Sequence, residues 1–521
     1  MNSFKKTLLN ELPEFKDYTL NFINGNISKM QYKSISGGYG VYAQRDQKSF
    51  MIRLRTSCGV ISKCQLHTIY QMAHKYDLES IHLTTRQAIQ LHDLDMDAII
   101  DIMKEGIQKG IFTRGGGGNY PRNVGLSPLS GVDPEESFDV TPYALATDKY
   151  FLNRMTTYHL PRKFKVSYSS SKKDYAHATV QDLGFIATIK DDKPYFEVYV
   201  GGGLGKNPRL GIKLPHLINP CDVLYYVEGL TQFFTKEGNY ENKHKARIRY
   251  LLEEFGEEKF IKKFEKYVKE QEKNHDLKIN PEPIDYSKNI GDIPLNINLN
   301  NPRIIKQKQD DLYTVYIHPT GGIYKLKDLK CLLYELDKVK NPIIRIGMME
   351  EVYILNLCAN EAQKILEITQ NMSGSTLLEN SISCIGVPTC QIGICNSQKM
   401  LSDIITYFKI NNKNNLEAMP KIYISGCGNS CGAHQIGCIG LTGRRKKLDG
   451  IPTDCFEMSI NGKFTVGESK LGEVIGEFKQ SDIPKMLYEI SQKLVGKNID
   501  FETFTKDFRE EFNQVIESYK L

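Results

Sequence analysis

The feature that most constrains the fold is an internal repeat. Residues 50–92 read FMIRLRTSCGVISKCQLHTIYQMAHKYDLESIHLTTRQAIQLH, and residues 313–355 read YTVYIHPTGGIYKLKDLKCLLYELDKVKNPIIRIGMMEEVYIL. Laid on each other without a gap, Gly59 falls on Gly322, Leu66 on Leu329, Ile69 on Leu332, Ile81 on Ile344 and Leu83 on Ile346. Each copy reads strand, glycine-containing turn, amphipathic helix, strand, turn, strand. The spacing is far too long for a solenoid, so the expectation is two half-domains packed about a pseudo-twofold axis. A fainter echo follows each copy. HATVQDLGF (177–185) resembles AHQIGCIGL (433–441), FEVYVGG (196–202) resembles FEMSING (456–462), and both lead to a helix with a proline near its start. The order is A, B, A′, B′, and the polar, Pro/Asn-rich stretch 269–302 reads as the linker between the halves.

A chain of 521 residues is long enough for two to four domains. With 25% charged and 40% hydrophobic residues it has the balance of a globular protein. No apolar run approaches the roughly 20 residues of a membrane span. The start, MNSFKKTLLNELPEF, has no uninterrupted apolar core and reads as a cytoplasmic N-terminus. A net charge of +6 is too mild to argue for nucleic acid, and it suits an acidic partner or an anionic substrate. Of the 12 cysteines, Cys58, Cys64, Cys221, Cys331 and Cys358 are scattered among apolar or helical patterns and read as small hydrophobes. The other seven fall between 384 and 455, a clustering that packing alone does not require.

The halves have diverged. After the second strand the first copy has TTRQ, with Arg86, where the second has GMME. The first B segment carries LPRKFK and no cysteine pair, whereas the second carries cysteines and lacks that run. SCIGVPTC holds Cys384 and Cys390, and GCGNSC holds Cys427 and Cys431. Between them lie a helical pattern, 395–410, and a strand, 421–426. Four thiolates from two loops can hold zinc or an iron–sulfur cluster, or remain unligated. The wide loop between Cys384 and Cys390 suits a larger object than one ion. Cys395 and Cys438 complicate the choice of ligands.

Cations in the first half fall beside glycine or in turns: Arg53 and Arg55, Arg86, Arg114 and Arg122, then Arg162, Lys163 and Lys165. In an alternating strand Lys163 and Lys165 point the same way, and two like charges on one face repel unless an anion lies between them. Taken singly, each piece also fits a solvated basic face. The glycines 115–118 do not form a phosphate loop, because no Lys-Ser/Thr follows, yet they would let backbone approach a flat ligand.

Taken together, GVYAQR (40–45), FMIRLR, HLTTRQAIQLH, PRNV, LPRKFK, GGGLG (201–205), SCIGVPTCQIGI and SGCGNSCGAH resemble the siroheme- and [4Fe–4S]-dependent nitrite/sulfite reductases over nearly the whole chain. The resemblance implies an α+β fold. Two pseudo-symmetric ferredoxin-like half-domains, 1–125 and 286–380, would alternate with a siroheme-binding domain at 126–285 and a cluster- and siroheme-ligating domain at 381–521. It implies Cys384, Cys390, Cys427 and Cys431 as cluster ligands, with the Cys431 sulfur shared with the siroheme iron. Arg86, Arg122, Lys163 and Lys165 would form the anion cage, and Arg45, Arg53 and Asn123 would meet siroheme. Some residues depart from the family pattern: Gly428 inside the second cysteine pair where proline is usual, Ser57-Cys58-Gly59 for Pro-Gly-Gly, Ala43 for the proline of GVYPQR, and Cys438 where an acid is common.

The implied activity is six-electron reduction of sulfite to sulfide, with nitrite to ammonia as the alternative. Relatives that prefer nitrite tend to carry Asn where Lys165 stands. A cobalamin-pathway enzyme on the same scaffold and a zinc-stabilised binding protein are lesser readings. No complete nicotinamide or flavin fingerprint is present. The expected electron donor is therefore a separate small carrier such as ferredoxin, and the expected partners include neither nucleic acid nor a membrane.

Overall fold

The computed structural model describes residues 3–288 and 300–521. Four five-stranded sheets form two twinned pairs. The first half-domain sheet runs Val41–Ala43, Phe50–Leu54, Ile89–Leu94, Ser80–Leu83 and then Ile323–Lys325, which comes from the second copy. Its twin runs Ile304–Lys306, Tyr313–Ile317, Val352–Leu357, Ile343–Ile346 and then Val60–Ile61, which comes from the first. The exchange keeps register. Ile323 pairs with His82 and Tyr324 with Ile81, while Val60 pairs with Arg345 and Ile61 with Ile344. Each copy completes the other's sheet, so the repeat is a structural duplication whose halves share edges.

The local reasons are ordinary. Helix Lys63–Lys75 starts at Ser62, whose hydroxyl and the Gln65 side chain cap each other's backbone N–H, and it buries Leu66, Ile69, Met72 and Ala73. It packs against its twin, Leu326–Leu336, which buries Leu329, Leu332, Leu333 and Leu336. Helix Met96–Lys109 is capped by Asp95 and closed by Gly110 in the left-handed region.

The other two sheets also share one topology. Gly125–Leu126, Val166–Ser169 and Leu183–Lys190 are parallel, and Lys193–Val200 and Ile212–Lys213 follow antiparallel. Ile382–Ser383, Ile422–Ser425 and Ile439–Leu448 are parallel, followed by antiparallel Ile451–Ile460 and Glu473–Lys479. The echo at 177 and 433 is real in shape: both sheets have a left-handed residue there, His177 or Ala433, leading one 3₁₀ turn into the third strand.

The stretch read as a linker starts later than expected. Residues 269–274 are the last turns of helix Glu257–Asn274, where Val268 and Gln271 are buried. Residues 275–288 then cross between the halves. Buried Tyr286 donates to Asp139 Oδ2 at 3.1 Å and accepts from Arg345 Nη2 at 3.3 Å. The part of the linker at 289–299 lies outside the described residues. Among the described residues no helix is long and apolar enough to cross a membrane.

Candidate active site at the interface of the halves

Cys384 and Cys427 leave the C-terminal ends of adjacent parallel strands, Ile382–Ser383 and Ile422–Ser425. This register brings the two sequence-distant loops together. The loop that carries Cys390 folds back on this edge. Cys390 N–H donates to Gly386 O at 2.7 Å, and the N–H groups of Ile394 and Cys395 converge on Gly426 O at 3.0 and 2.9 Å. Cys431 follows a turn with Ser430 at φ 55°, anchored by Gly432 N–H to Ser425 Oγ at 3.0 Å. A Cβ on Gly432 would stand 2.2 Å from Ile424 O, so the backbone beside Cys431 has no room for a side chain.

The thiols are surrounded by donors. Gly426 N–H points at Cys384 Sγ (3.2 Å), and the Asn429 amide at Cys427 Sγ (3.4 Å). Burial, then the neighbouring Cys431, pushes the Cys384 thiol up to about 12, and burial also raises Cys390 and Cys427. Cys431 acts on all three, and Cys390 acts on Cys384 and Cys427. Thiols whose ionisation is disfavoured by burial and by neighbouring thiols fit a shared cationic metal group, which would offset that penalty. Among the described residues no three His, Cys, Asp or Glu side chains stand close enough for a single metal ion. Cys395 turns away into the core, its Sγ donating to Arg444 O at 3.1 Å, and Cys438 packs at the edge of the same core.

The cations sit across the interface. Lys163 and Lys165 flank buried Phe164, whose backbone is tied to the segment 120–122: Arg122 N–H donates to Phe164 O at 2.9 Å, and Phe164 N–H donates to Tyr120 O at 3.2 Å. Lys165 N–H donates to Asp182 Oδ2, but neither lysine ammonium has a partner among the described residues. Burial, then Arg247 and Arg122, lowers Lys163 to about 7, while burial, Lys163 and Arg86 hold Lys165 well below the ordinary lysine range. Cys431 pulls Lys163 the other way, which puts this lysine and this thiol within electrostatic reach of each other.

The guanidinium groups are held more tightly than the sequence suggested. Arg122 donates to Gly116 O at 2.9 Å and Gly118 O at 2.8 Å, leaving its buried Nε unpartnered. Arg53 donates to the same Gly116 carbonyl at 2.8 Å. Arg86 places four of its five N–H donors on Asn123 O, Ser167 Oγ, Gln181 Oε1 and Val166 O, so it braces the wall rather than offering an open face. Asn123 donates to Gln87 O at 3.1 Å behind that brace. Arg45 is exposed against the thiol loop, where it donates to Gly393 O at 2.6 Å and Cys390 O at 3.5 Å. It therefore fastens the Cys390 loop.

Two site residues were overlooked in the sequence. Arg247 forms a buried double contact with Asp182 (2.9 Å to each oxygen) that takes up the acid nearest the lysines. Arg249 is buried with Nε and Nη1 unpartnered. The alternation HKARIRY at the start of helix Ile248–Phe255 was the available signal. The run Arg444-Arg445-Lys446-Lys447 was also passed over. It lies on the hairpin Ile439–Leu448/Ile451–Ile460, where Arg444, Arg445 and Lys446 pair with Glu457, Asp454 and Glu477.

Contacts across the halves assemble the site. Thr85 Oγ1, beside Arg86, donates to Cys431 O at 2.5 Å, and Gly205 and Gln435 exchange two hydrogen bonds at 2.7 and 2.8 Å.

Comparison with known proteins agrees with this arrangement. The family described as "Nitrite and sulphite reductase 4Fe-4S domain" matches residues 117–272, which carry the lysines, and "Nitrite/Sulfite reductase ferredoxin-like half domain" matches residues 42–107. The four cysteines lie in the topological twin of the first matched region. A ferredoxin–nitrite reductase of Leptolyngbya laminosa is 25% identical over 431 residues, covering 80% of this chain and 81% of that protein. A ferredoxin sulfite reductase of Mycolicibacterium paratuberculosis is 22% identical over 494 residues, covering 89% and 86%. The structure of Mycobacterium tuberculosis NirA superposes with a TM-score of 0.77 at 21% identity, covering 94% of this chain and 92% of that one. The chain belongs to the nitrite/sulfite reductase family of iron–sulfur oxidoreductases.

Proposed function

We propose that the chain reduces sulfite to sulfide, taking six electrons from a small protein carrier such as ferredoxin: HSO₃⁻ + 6 e⁻ + 6 H⁺ gives HS⁻ + 3 H₂O. The observation that carries this reading is the pair Lys163 and Lys165, two lysine side chains that flank Phe164 without partners among the described residues, their charged forms disfavoured by burial and by Arg122, Arg247 and Arg86. Such a cluster costs free energy until an anion enters it. A cation about 4 Å from an oxyanion contributes roughly 4 kcal/mol of Coulomb energy at an effective dielectric near 20, before desolvation is subtracted.

The residues fit the two cofactors of the family. Cys384, Cys390, Cys427 and Cys431 would be the donor set for a [4Fe–4S] cluster, and Cys431, within electrostatic reach of Lys163, would be the thiol to share with siroheme. The unpartnered guanidinium nitrogens of Arg249, and Arg53, suit a polycarboxylate macrocycle. When bound, the two groups would supply the electrons for reduction of the substrate. The protein's part is positioning and protons. Arg122 holds the anion, braced through Gly116 and Gly118, and Arg86 and Asn123 fix the wall. Lys163 can give up a proton near neutrality, which arginine cannot. Free thiols throughout, with no disulfide among 12 cysteines, accord with a reducing cytoplasm.

Nitrite reduction is the second reading, supported by the nitrite reductases among the relatives. The test is steady-state turnover of each anion with reduced methyl viologen, with siroheme content measured. A kcat/KM for nitrite well above that for sulfite would overturn the sulfite assignment.

A further inference from the structure

The loop that carries Cys390 reaches the protein surface. Beyond Cys390 the chain exposes Ile392 (49%) and Ile394 (39%), two aliphatic side chains that alternate with buried Gly393 and Cys395. Exposed isoleucines two residues apart, beside a metal-ligating thiol, have no packing reason to face water. The cations around them are unevenly distributed. On one side are Lys33 of helix Lys29–Ser36, close enough to act electrostatically on Cys390, and Arg45 and Lys48 of the exposed turn 45–48. None of these three is paired with a carboxylate among the described residues. The acid of that turn, Asp46, is occupied by the N–H groups of Lys48 and Ser49 and by the Ser49 hydroxyl. On the other side Arg444 lies beside Gly428, but it and its neighbours Arg445 and Lys446 are already paired with acids.

We propose that Ile392 and Ile394, bordered by Lys33, Arg45 and Lys48, form the docking face for a small acidic one-electron carrier protein. The carrier's acidic rim would meet the unpaired cations of the first half, and its apolar centre would meet the isoleucines. This deepens the reading above and rests on its assignment of Cys390 as a cluster ligand. Each docking delivers one electron, and six reduced carriers are oxidised for each sulfite reduced. The Arg45 bonds to Cys390 O and Gly393 O make the docking face continuous with the thiol loop. An apolar centre with a charged rim on one side gives affinity from burial and orientation from charge.

The probe is a plant-type [2Fe–2S] ferredoxin, used with the holoenzyme. Three double variants are compared with wild type: Ile392→Glu with Ile394→Glu, Lys33→Glu with Lys48→Glu, and Lys446→Glu with Lys447→Glu. The first two should raise the Kd for oxidised ferredoxin, by calorimetry at low salt, and its KM as donor by about tenfold or more. Turnover with methyl viologen and the absorption spectrum should stay at the wild-type level. The third pair should change ferredoxin affinity less than about twofold, because Lys446 is already matched to Glu477. An unchanged Kd in both of the first two variants would overturn the proposal. So would an effect of the hairpin pair as large as theirs, which would place the carrier on the other side. Calorimetry reads the surface whichever anion is the substrate, so failure of the docking face and failure of the sulfite reading are separable.

Discussion

The two halves carry the same scaffold but different charges, and the comparison explains why one chain needs one site. Strand register makes Arg53 equivalent to Tyr316 and Arg86 equivalent to Met349. Lys165, two residues before Ser167, is equivalent to Lys421, two before Tyr423. In the first half these positions surround open ammonium groups. In the second they are closed. Met349 packs with Tyr423, Ile382 and Ile436, and Lys421 donates to the Tyr316 hydroxyl at 3.2 Å while facing buried Glu351. The twin keeps a lysine at this position, but there the Tyr316 hydroxyl accepts from it and the buried Glu351 carboxylate acts on it electrostatically. Gln87 and Glu350 show the same drift on a smaller scale. Gln87 Oε1 accepts from Leu126 N–H at 2.9 Å, and Glu350 Oε2 accepts from Ser383 N–H at 3.0 Å. Gln87 also donates to Ile346 O, a role that Glu350 can fill only when protonated, and burial raises Glu350 well above its ordinary 4.5. An anion site is thus maintained by leaving cations unsatisfied, and it is lost when an internal acid or an aromatic ring takes their place.

Substitutions can break or sharpen this contrast. The largest effect belongs to Cys431→Ser, which should reduce turnover to background and disturb the siroheme and cluster bands together. Loss of one chromophore alone would separate Cys431 from the shared position. Next, Lys165→Asn should disfavour sulfite relative to nitrite by about 1–3 kcal/mol of transition-state energy, or roughly one to two decades in the ratio of kcat/KM. An unchanged ratio would mean that Lys165 does not face the substrate. In the closed half, Glu350→Gln copies its twin and should leave activity alone. The folded state holds the Glu350 proton more tightly than the unfolded state, so native stability falls as pH rises above 4.5. The Gln variant lacks that loss and should be more stable than wild type by about 1 kcal/mol at pH 8, with the difference vanishing at acid pH. Thermal unfolding across pH checks this, and a variant less stable at pH 8 would contradict it. The smallest effect is expected for Cys395→Ser, whose thiol bonds to Arg444 O inside the core; both spectra should be unchanged.

The sequence made the duplication legible because paired glycines and apolar positions survive without a gap, from Gly59/Gly322 to Leu83/Ile346. It could not show that Val60–Ile61 and Ile323–Lys325 exchange sheets, since two- and three-residue strands carry no periodic signal. The cysteine pairs were conspicuous because thiols flanked by glycine have no packing role. The place of Arg45 was not legible. Its neighbours in the chain are turn residues, and its partners are carbonyls of a loop far away in sequence. Arg86 had the right neighbours, but how fully its donors are engaged depends on Asn123, Val166, Ser167 and Gln181, which only the fold brings together. Arg247 was missed because a salt bridge to Asp182 is invisible without the sheet between them.

The central claim is that cations of the first half and thiols of the second build a single redox site, while the twin position is closed. Siroheme content per chain of purified, fully loaded protein tests it most directly, read from the absorption spectrum with extraction of the macrocycle and an iron assay. One siroheme and one [4Fe–4S] cluster per chain, both lost in Cys431→Ser, is the predicted result. Two sirohemes per chain, or one that persists with its cluster in Cys431→Ser, would contradict the account.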